Sequence, residues 1–331
     1  MNVEFHYYTV YYLAQQAGFT DTECSVLAHS SQYLDNALVS YEVEHDGGVY
    51  ATAITHHFGF WDTSQEWEVW IPFHFFPAGS RVAEARRDGH YNLLDVRPNS
   101  DRVKQMLVGA LKSRNLYRAG IALHTYADSW AHQNFSGRNE EWNRLERRSA
   151  LPPIGHAQAK RDPDGFDSEW RDPRLRPPHD VVNNRKRFLA AAGRIYRYLA
   201  TFNRRSFADE QLVLSRLERI MGPAGTPREA RVADFVIECG MDEYSRMTWR
   251  REAFTPAMGW QSLDEERELE SALDKLNWLK DELLHKTRLM QREPARANPG
   301  FFASHLFKWD QAAQTQRQEN LAALADLRDA R

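Results

Sequence analysis

Apolar and polar residues follow helical spacing over most of this chain, and the predicted helices are clearest where capping residues frame them. Phe5 to Gly18 reads as a short aromatic helix stopped by Gly18. Thr20-Asp21-Thr22-Glu23 is a capping box that opens a helix to about Leu38, with Thr20 as N-cap and Glu23 reaching back. Ser100 caps a helix from Asp101 to about Arg114. After a bend near Asn115, the stretch Gly120 to His132 continues as helix until Asn134 to Gly137 ends it. Glu140 to Arg148 reads as one short charged helix. From Val181 the pattern is helical almost to the end, over Val181 to Asn203, Asp209 to Met221, Arg228 to Cys239, Ser262 to Gln291 and Phe302 to Arg331. Ser262-Leu263-Asp264-Glu265 forms a second capping box, and Leu269, Leu273, Leu276, Leu279 and Leu283 recur at three-four spacing.

Two stretches break the helical pattern. Val39 to Glu44 alternates like a strand, Asp46-Gly47-Gly48 is a turn signal, and Val49 to His57 and Trp67 to Phe76 are rich in β-branched and aromatic residues. They predict a hairpin-bearing excursion over about 39–80, with Pro72 demoting its last piece to an edge or extended loop. Residues 81–99 read as a polar connecting loop. Residues 149–180 are rich in Pro, Asp and Arg and poor in aliphatics, and an irregular stretch of that length inside a globular chain points to function. The fold class expected is mainly α: a helical bundle with the hairpin-like excursion and the loop-rich segment. Residues 1–180 would form a metal-binding core and 181–331 a helical region packed on it, in one continuous domain.

Composition narrows the function classes. The chain has 331 residues, 42% of them hydrophobic, enough for a substantial core. A net charge of −3 gives no broad basic footprint for nucleic acid, although it leaves room for a small nucleotide or a locally basic groove. Cys24 and Cys239 provide no disulfide framework and read as buried thiols. Neither a signal peptide nor an apolar run long enough to span a membrane is visible, so a cytoplasmic location is expected, with export by a route that needs no cleaved signal as the alternative.

The chemistry concentrates in the first half, where ten of the thirteen His lie at or before His156. His124, Asp128 and His132 are spaced four and four, so one helix would present imidazole, carboxylate and imidazole in a row. That is a grip for a divalent metal, and the bland alternative is a buried polar ladder. Eight residues of straight helix rotate His132 by about 80° from His124. The expectation is therefore that Asp128 sits between two ions, with His124 serving one and His132 the other. His6, Asp35, His56, His57, His74, His156 and Asp164 are further candidates. His56 and His57 would point to opposite faces of a strand, so one of them at most is a ligand. His74, between Phe73 and Phe75, could equally be a packed ring, and His6 a core histidine. His179-Asp180 follows two prolines in a loop and does not read as a metal doublet. The donor set is nitrogen and oxygen without thiolate, as zinc and its first-row neighbours accept in catalytic sites, and it is large enough for two or three ions.

A helix bearing a His, a second helix ending in Asp, then HxxxD on a later helix followed by more His resembles the zinc-dependent phospholipase C and single-strand-specific nuclease superfamily. The resemblance covers about the first half of the chain. It implies an all-α bundle with a trinuclear zinc cleft that hydrolyses phosphodiesters, with Zn2+ as cofactor, or Mn2+ or another divalent metal in its place. It further implies metal ligands at His6, Asp35, His56, His124, Asp128, His132, His156 and Asp164, with Asp128 bridging. Members of that superfamily are typically exported and ligate through the amine of an N-terminal Trp, whereas Met1 stands at the start here. His132 comes sooner after Asp128, and Asp164 later after His156, than the superfamily pattern has them. Phe5-His6-Tyr7-Tyr8, His124-Thr125-Tyr126-Ala127-Asp128 and Gly155-His156-Ala157 also resemble phrases of an uncharacterised bacterial family, which implies no function.

The function expected is a metal-dependent hydrolase of a phosphoester, whether lipid, nucleotide or single-stranded nucleic acid. Asp35 would accept or steer the proton of the attacking water, with Asp128 as the second catalytic carboxylate. The aromatic segment from Tyr50 to Phe76 would wall the cleft, and arginines of the 160–176 loop would meet the phosphate. The competing expectation is a non-catalytic helical interaction protein with one structural metal or none.

Overall fold

The computed structural model describes residues 1–45, 48–56, 65–82, 85–149, 151–255 and 293–328. Among these the chain is mainly α-helical. Its helices are α1 (Val10–Gln16), α2 (Asp21–Asn36), α3 (Ile71–Phe73), α4 (Asp101–Lys112), α5 (Leu116–Ala131), α6 (Asn184–Phe202), α7 (Glu210–Met221), α8 (Arg228–Cys239), α9 (Met247–Ala253), α10 (His305–Ala323) and α11 (Ala325–Arg328). No described helix is long and apolar enough to cross a membrane. The helix expected over Ser262 to Gln291, with its capping box, lies outside the described residues, as do His57 and the Asp46-Gly47 turn.

Local signals explain most helix starts. Glu23 accepts from the Thr20 backbone N–H at 2.9 Å, and Thr20 Oγ1 lies 3.4 Å from the Glu23 amide, which closes the capping box. Ser100 caps α4 through Val103 N, and Asn115 caps α5 through the amides of Tyr117 and Arg118. Two segments depart from the expectation. Residues 66–73 are helical, a π-helical turn (Glu66–Trp70) running into α3, and Pro72 is the second residue of α3. Glu140 to Arg148 contributes one 3-10 turn (Glu141–Asn143), because the Asn143 amide folds the chain back onto the carbonyls of Ser136 and Arg138. A second π-helical turn, Glu4–Thr9, leads into α1.

The chain forms two compact units. The first comprises residues 1–36, 55–244 and 312–331, and α5 runs through its centre against α2, α4 and α6. Leu123, Tyr126 and Ala127 of α5 are fully buried in the same core as Phe5, Leu27, Leu107 and Ile195. A short hairpin of β3 (Glu169–Arg171) and β4 (Val181–Asn183) precedes α6, and Asn183 caps that helix through Lys186 N. Val181 to Asn183 is therefore strand, not the first turn of the expected helix.

The second unit comprises residues 37–54 and 245–311. In its three-stranded sheet β1 (Tyr41–His45) runs antiparallel to β2 (Gly48–Ala51) and parallel to β5 (Glu293–Ala295), which gives the order β2-β1-β5. Tyr41, Phe254, Phe301 and Phe307 form its aromatic cluster, and the buried Asp310 accepts from the Ala53 amide and from the Tyr50 hydroxyl.

In the first unit, two arginines tie the loops around 86–97, 135–143 and 172–176 together. Arg86 lies over the Trp142 ring and Arg174 over Phe135, and both donate to the Trp142 carbonyl at 3.2 Å. Arg174 also grips Asp172 with two bonds of 2.9 and 2.6 Å. Beside them Asp95 is 1% exposed, and burial pushes its carboxyl up to about 7 despite Arg97 at 3.4 Å. A folded-state pKa above the unfolded value means that the native chain binds the proton more tightly. The Asp95 contribution is therefore present at low pH and is lost as pH rises from about 4 through 7. Asp95→Asn keeps the neutral shape at every pH. Its stability relative to the parent is expected to climb between pH 4.5 and 8, by up to a few kcal/mol, since one pKa unit is about 1.4 kcal/mol. Parallel denaturation curves across that range check this, and a pH-independent difference would overturn it.

Candidate metal centre

The C-terminal half of α5, the end of α2, the π-helical turn at the N-terminus, the stretch at 55–56, the segment after α3 and the loop after residue 155 converge in the first unit. They bring together His6, Asp35, His56, His74, His124, Asp128, His132, His156 and Asp164. The ligand atoms fall into three groups whose members lie within 4.8 Å of one another: His6, His124 and Asp128; Asp35, His56 and His74; His132, His156 and Asp164. Every metal ligand expected from sequence is in this cluster, and His74, for which sequence allows either reading, joins it.

Main-chain contacts fix the rings. His124 Nδ1 donates to Ser31 O at 2.8 Å, His74 Nε2 to Thr55 O at 2.8 Å, His132 Nδ1 to His74 O at 2.8 Å and His156 Nδ1 to Lys160 O at 3.0 Å. A carbonyl can only accept, so each contact places a proton on that nitrogen and leaves the other free to ligate. The free nitrogens face carboxylates: His124 Nε2 lies 3.1 Å from Asp128, His74 Nδ1 3.2 Å from Asp128, His132 Nε2 3.0 Å from Asp164 and His156 Nε2 3.2 Å from Asp164. His6 stacks on His124 with centroids 3.7 Å apart, and its Nε2 lies 3.1 Å from Asp128 Oδ1.

Asp128 is the hub. Its Oδ1 meets His6 and the Met1 amino group, and its Oδ2 meets His74 and His124. The geometry refines the expectation for His132, the C-cap of α5: its Nδ1 lies 3.8 Å from Asp128 Oδ2 but is given to His74 O. Its free nitrogen serves Asp164, so Asp128 stands between the His6 group and the Asp35 group. Asp35 Oδ1 lies 3.5 Å from His56, 3.6 Å from His124 and 3.8 Å from His74. These imidazoles supply the partners that a carboxylate at a helix C-terminus needs.

The electrostatics favour the ligating forms of the three carboxylates and of His6, His74 and His156. Burial alone would raise Asp128 and Asp164, but the amino group and imidazoles around them hold both well below the usual carboxylate range. Asp35 is held low in the same way, mainly by His124 and His56. Burial lowers His6 to about 3 and His74 to about 4, and it also lowers His156. His132 goes the other way, because Asp128 and Asp164 outweigh its burial. The Met1 amino group, 3.3 Å from Asp164, is raised to about 10, the carboxylates outweighing burial. Neutral imidazole and ionised carboxylate are the states that bind a divalent metal.

The walls are aromatic and tightly packed. Phe75 stacks on His132 at 4.6 Å and leans on His156 at 5.9 Å. Gly155, at φ +47°, leaves room for that ring, since a Cβ there would come within 2.6 Å of Phe75. Of the expected aromatic segment, Phe75 lies at the site, whereas Phe73 is fully buried and Phe76 packs in the core. The arginines expected to meet phosphate are partly engaged elsewhere: Arg174 with Asp172, and Arg171 with Asp180 at 2.8 Å. His179 is exposed, in keeping with its reading as a loop residue.

No curated protein and no solved structure matches the chain. The profile of one family, described as a family of unknown function (DUF6765), matches residues 1–324, and the chain belongs to that family.

Proposed function

We propose that this protein is a metal-dependent hydrolase of phosphoesters, following the ligand scheme of the zinc-dependent phospholipase C and single-strand-specific nuclease superfamily. One observation carries the reading. Four histidines each donate one ring N–H to a backbone carbonyl and turn the other nitrogen onto a shared set of carboxylates. Metal-ligating histidines make such outer contacts, which fix ring orientation and tautomer. A polar ladder has no need of this, because its histidines could bond to one another by either nitrogen. The donors are nitrogen and oxygen only, which suits two or three divalent ions, zinc first and manganese as the alternative.

Divalent ions bound there would lower the pKa of a water molecule and offset charge on a phosphoryl group. The residues of the chain hold and orient. Asp128 is buried and shared between two ligand groups, whereas Asp35 is ionised and 23% exposed, placed to accept or steer the proton of the attacking water. His56, His156 and Asp164 are likewise 19–25% exposed, so two of the three groups open toward solvent. A closed structural metal, the competing class, has no such edge.

Protein purified without added metal and then loaded with zinc or manganese is expected to hold two or three ions. It should hydrolyse bis(4-nitrophenyl) phosphate and stop when the metal is chelated. Failure to take up either metal would sink the proposal. A single tightly held ion without hydrolysis would favour the structural alternative.

A further inference from the structure

Asp164 is the only carboxylate of its group and comes from an irregular loop, so something other than secondary structure has to hold it. The loop turns tightly there: Asp164 N and Gly165 N both donate to Arg161 O, at 3.1 and 2.9 Å. The first residue of α6 closes it from behind. Asn184 is fully buried, and its side-chain Nδ2 donates to Asp162 O at 2.7 Å, Pro163 O at 3.0 Å and Gly165 O at 2.7 Å. Three carbonyls therefore share two amide hydrogens and flank Asp164 on both sides in sequence. The amide orientation is forced, because the flipped form would set an oxygen against three oxygens. Among the described residues its Oδ1 has no hydrogen-bond partner, so the side chain is there for its donors. The Asn184 backbone N–H also holds the returning chain through Ser168 O at 3.0 Å. One turn on, Arg187 Nη1 lies 3.4 Å from Ala131 O, the last carbonyl of α5 before His132. The first turn of α6 thus touches both arms of the His132, His156 and Asp164 group.

From this geometry we infer that Asn184 is a positioning residue that sets the Asp164 carboxylate against His132 and His156. The inference rests on the metal reading for its consequence but not for the brace itself. Buried donors replaced by nothing, or by a carboxylate, release the loop and spread the ligand atoms. Loss of an outer-sphere contact of this kind weakens metal affinity by about 10–100-fold.

Two variants and two readouts test it. Asn184→Asp is isosteric but offers no donor, and Asn184→Leu removes the polar group. In the metal-free protein, both are expected to raise backbone hydrogen exchange over residues 161–168, with α4 and α7 unchanged as internal references. On zinc loading, both are expected to weaken one class of ion by about 10-fold or more and leave the others at parental affinity, matching the pattern of Asp164→Asn. Unchanged exchange in the loop overturns the brace. Faster exchange with parental affinity at every site overturns the positioning role and leaves Asn184 merely structural. Faster exchange in a protein whose parent takes up no metal confirms the brace and refutes the metal reading, so the two failures are separable. A general loss of folding in Asn184→Leu is answered by Asn184→Asp, whose volume is unchanged.

Discussion

Asp128→Ala is expected to lose metal and hydrolysis together, with activity down by more than about 100-fold. The magnitude comes from where the carboxylate sits. Its two oxygens face His6, His74, His124 and the Met1 amino group, so it serves two of the three ligand groups at once. Loss of a second-sphere partner already costs about 10–100-fold, and loss of a ligand common to two ions costs more. Electrostatics add to this. Asp128 is 1% exposed and faces the buried Met1 amino group, so its removal leaves that cation without the carboxylate beside it. The variant is thus expected to bind less than half of the parental metal even at saturating zinc. Asp128→Asn is the control for volume: it keeps the shape, loses the charge and should behave like the alanine variant. Full metal content in either variant, measured by elemental analysis after gel filtration, would remove Asp128 from the bridging place.

The legibility of this site in the sequence depends on where each ligand stands. His124 and Asp128 are four apart on a capped helix, a local relation that sequence states outright. His6 and Asp35 are legible because they lie on helices bounded by Gly18 and by the Thr20 box. His74 is ambiguous for a physical reason: its neighbours Phe73 and Phe75 are a core residue and a site wall, and sequence does not say which way the ring between them turns. The segment before it looks extended in sequence and is helical in the fold, because aromatic and β-branched residues also suit a buried helical turn once tertiary packing decides. The two described π-helical turns lie beside candidate ligands, the first carrying His6 and the second preceding His74. A π-helical turn departs from the 3.6-residue period on which a helix reading from sequence rests. Asn184 is invisible for a different reason. Its partners are main-chain carbonyls, which have no identity in a sequence, so a buried Asn at the start of a helix reads as an ordinary cap.

Gly120→Ala is expected to destabilise the protein by about 1–3 kcal/mol, against the usual sign for Gly→Ala inside a helix. Propensity alone would favour alanine by about 1 kcal/mol. Yet a Cβ at this position would lie 2.4 Å from Leu27 O and 2.5 Å from Ser30 Cβ, and the first of these is main chain. A carbonyl of α2 can retreat only if the two helices part, and overpacking of this kind costs about 1–3 kcal/mol and at times more. The same displacement reaches the site. His124 is one turn further along α5, held by Ser31 O at 2.8 Å, and Asp35 is one turn beyond Ser31 along α2. Separation of the helices pulls His124 Nε2 from Asp35 Oδ1, now 3.6 Å apart, so weaker metal binding should accompany the lower stability. Gly109 in α4 supplies the comparison, because among the described residues a Cβ there meets nothing within 4 Å. Gly109→Ala should be neutral or up to about 1 kcal/mol stabilising, with parental metal content. Chemical denaturation of the two variants side by side decides the matter: if Gly120→Ala proved as stable as Gly109→Ala, the close approach of α2 and α5 that brings Asp35 to His124 would not exist.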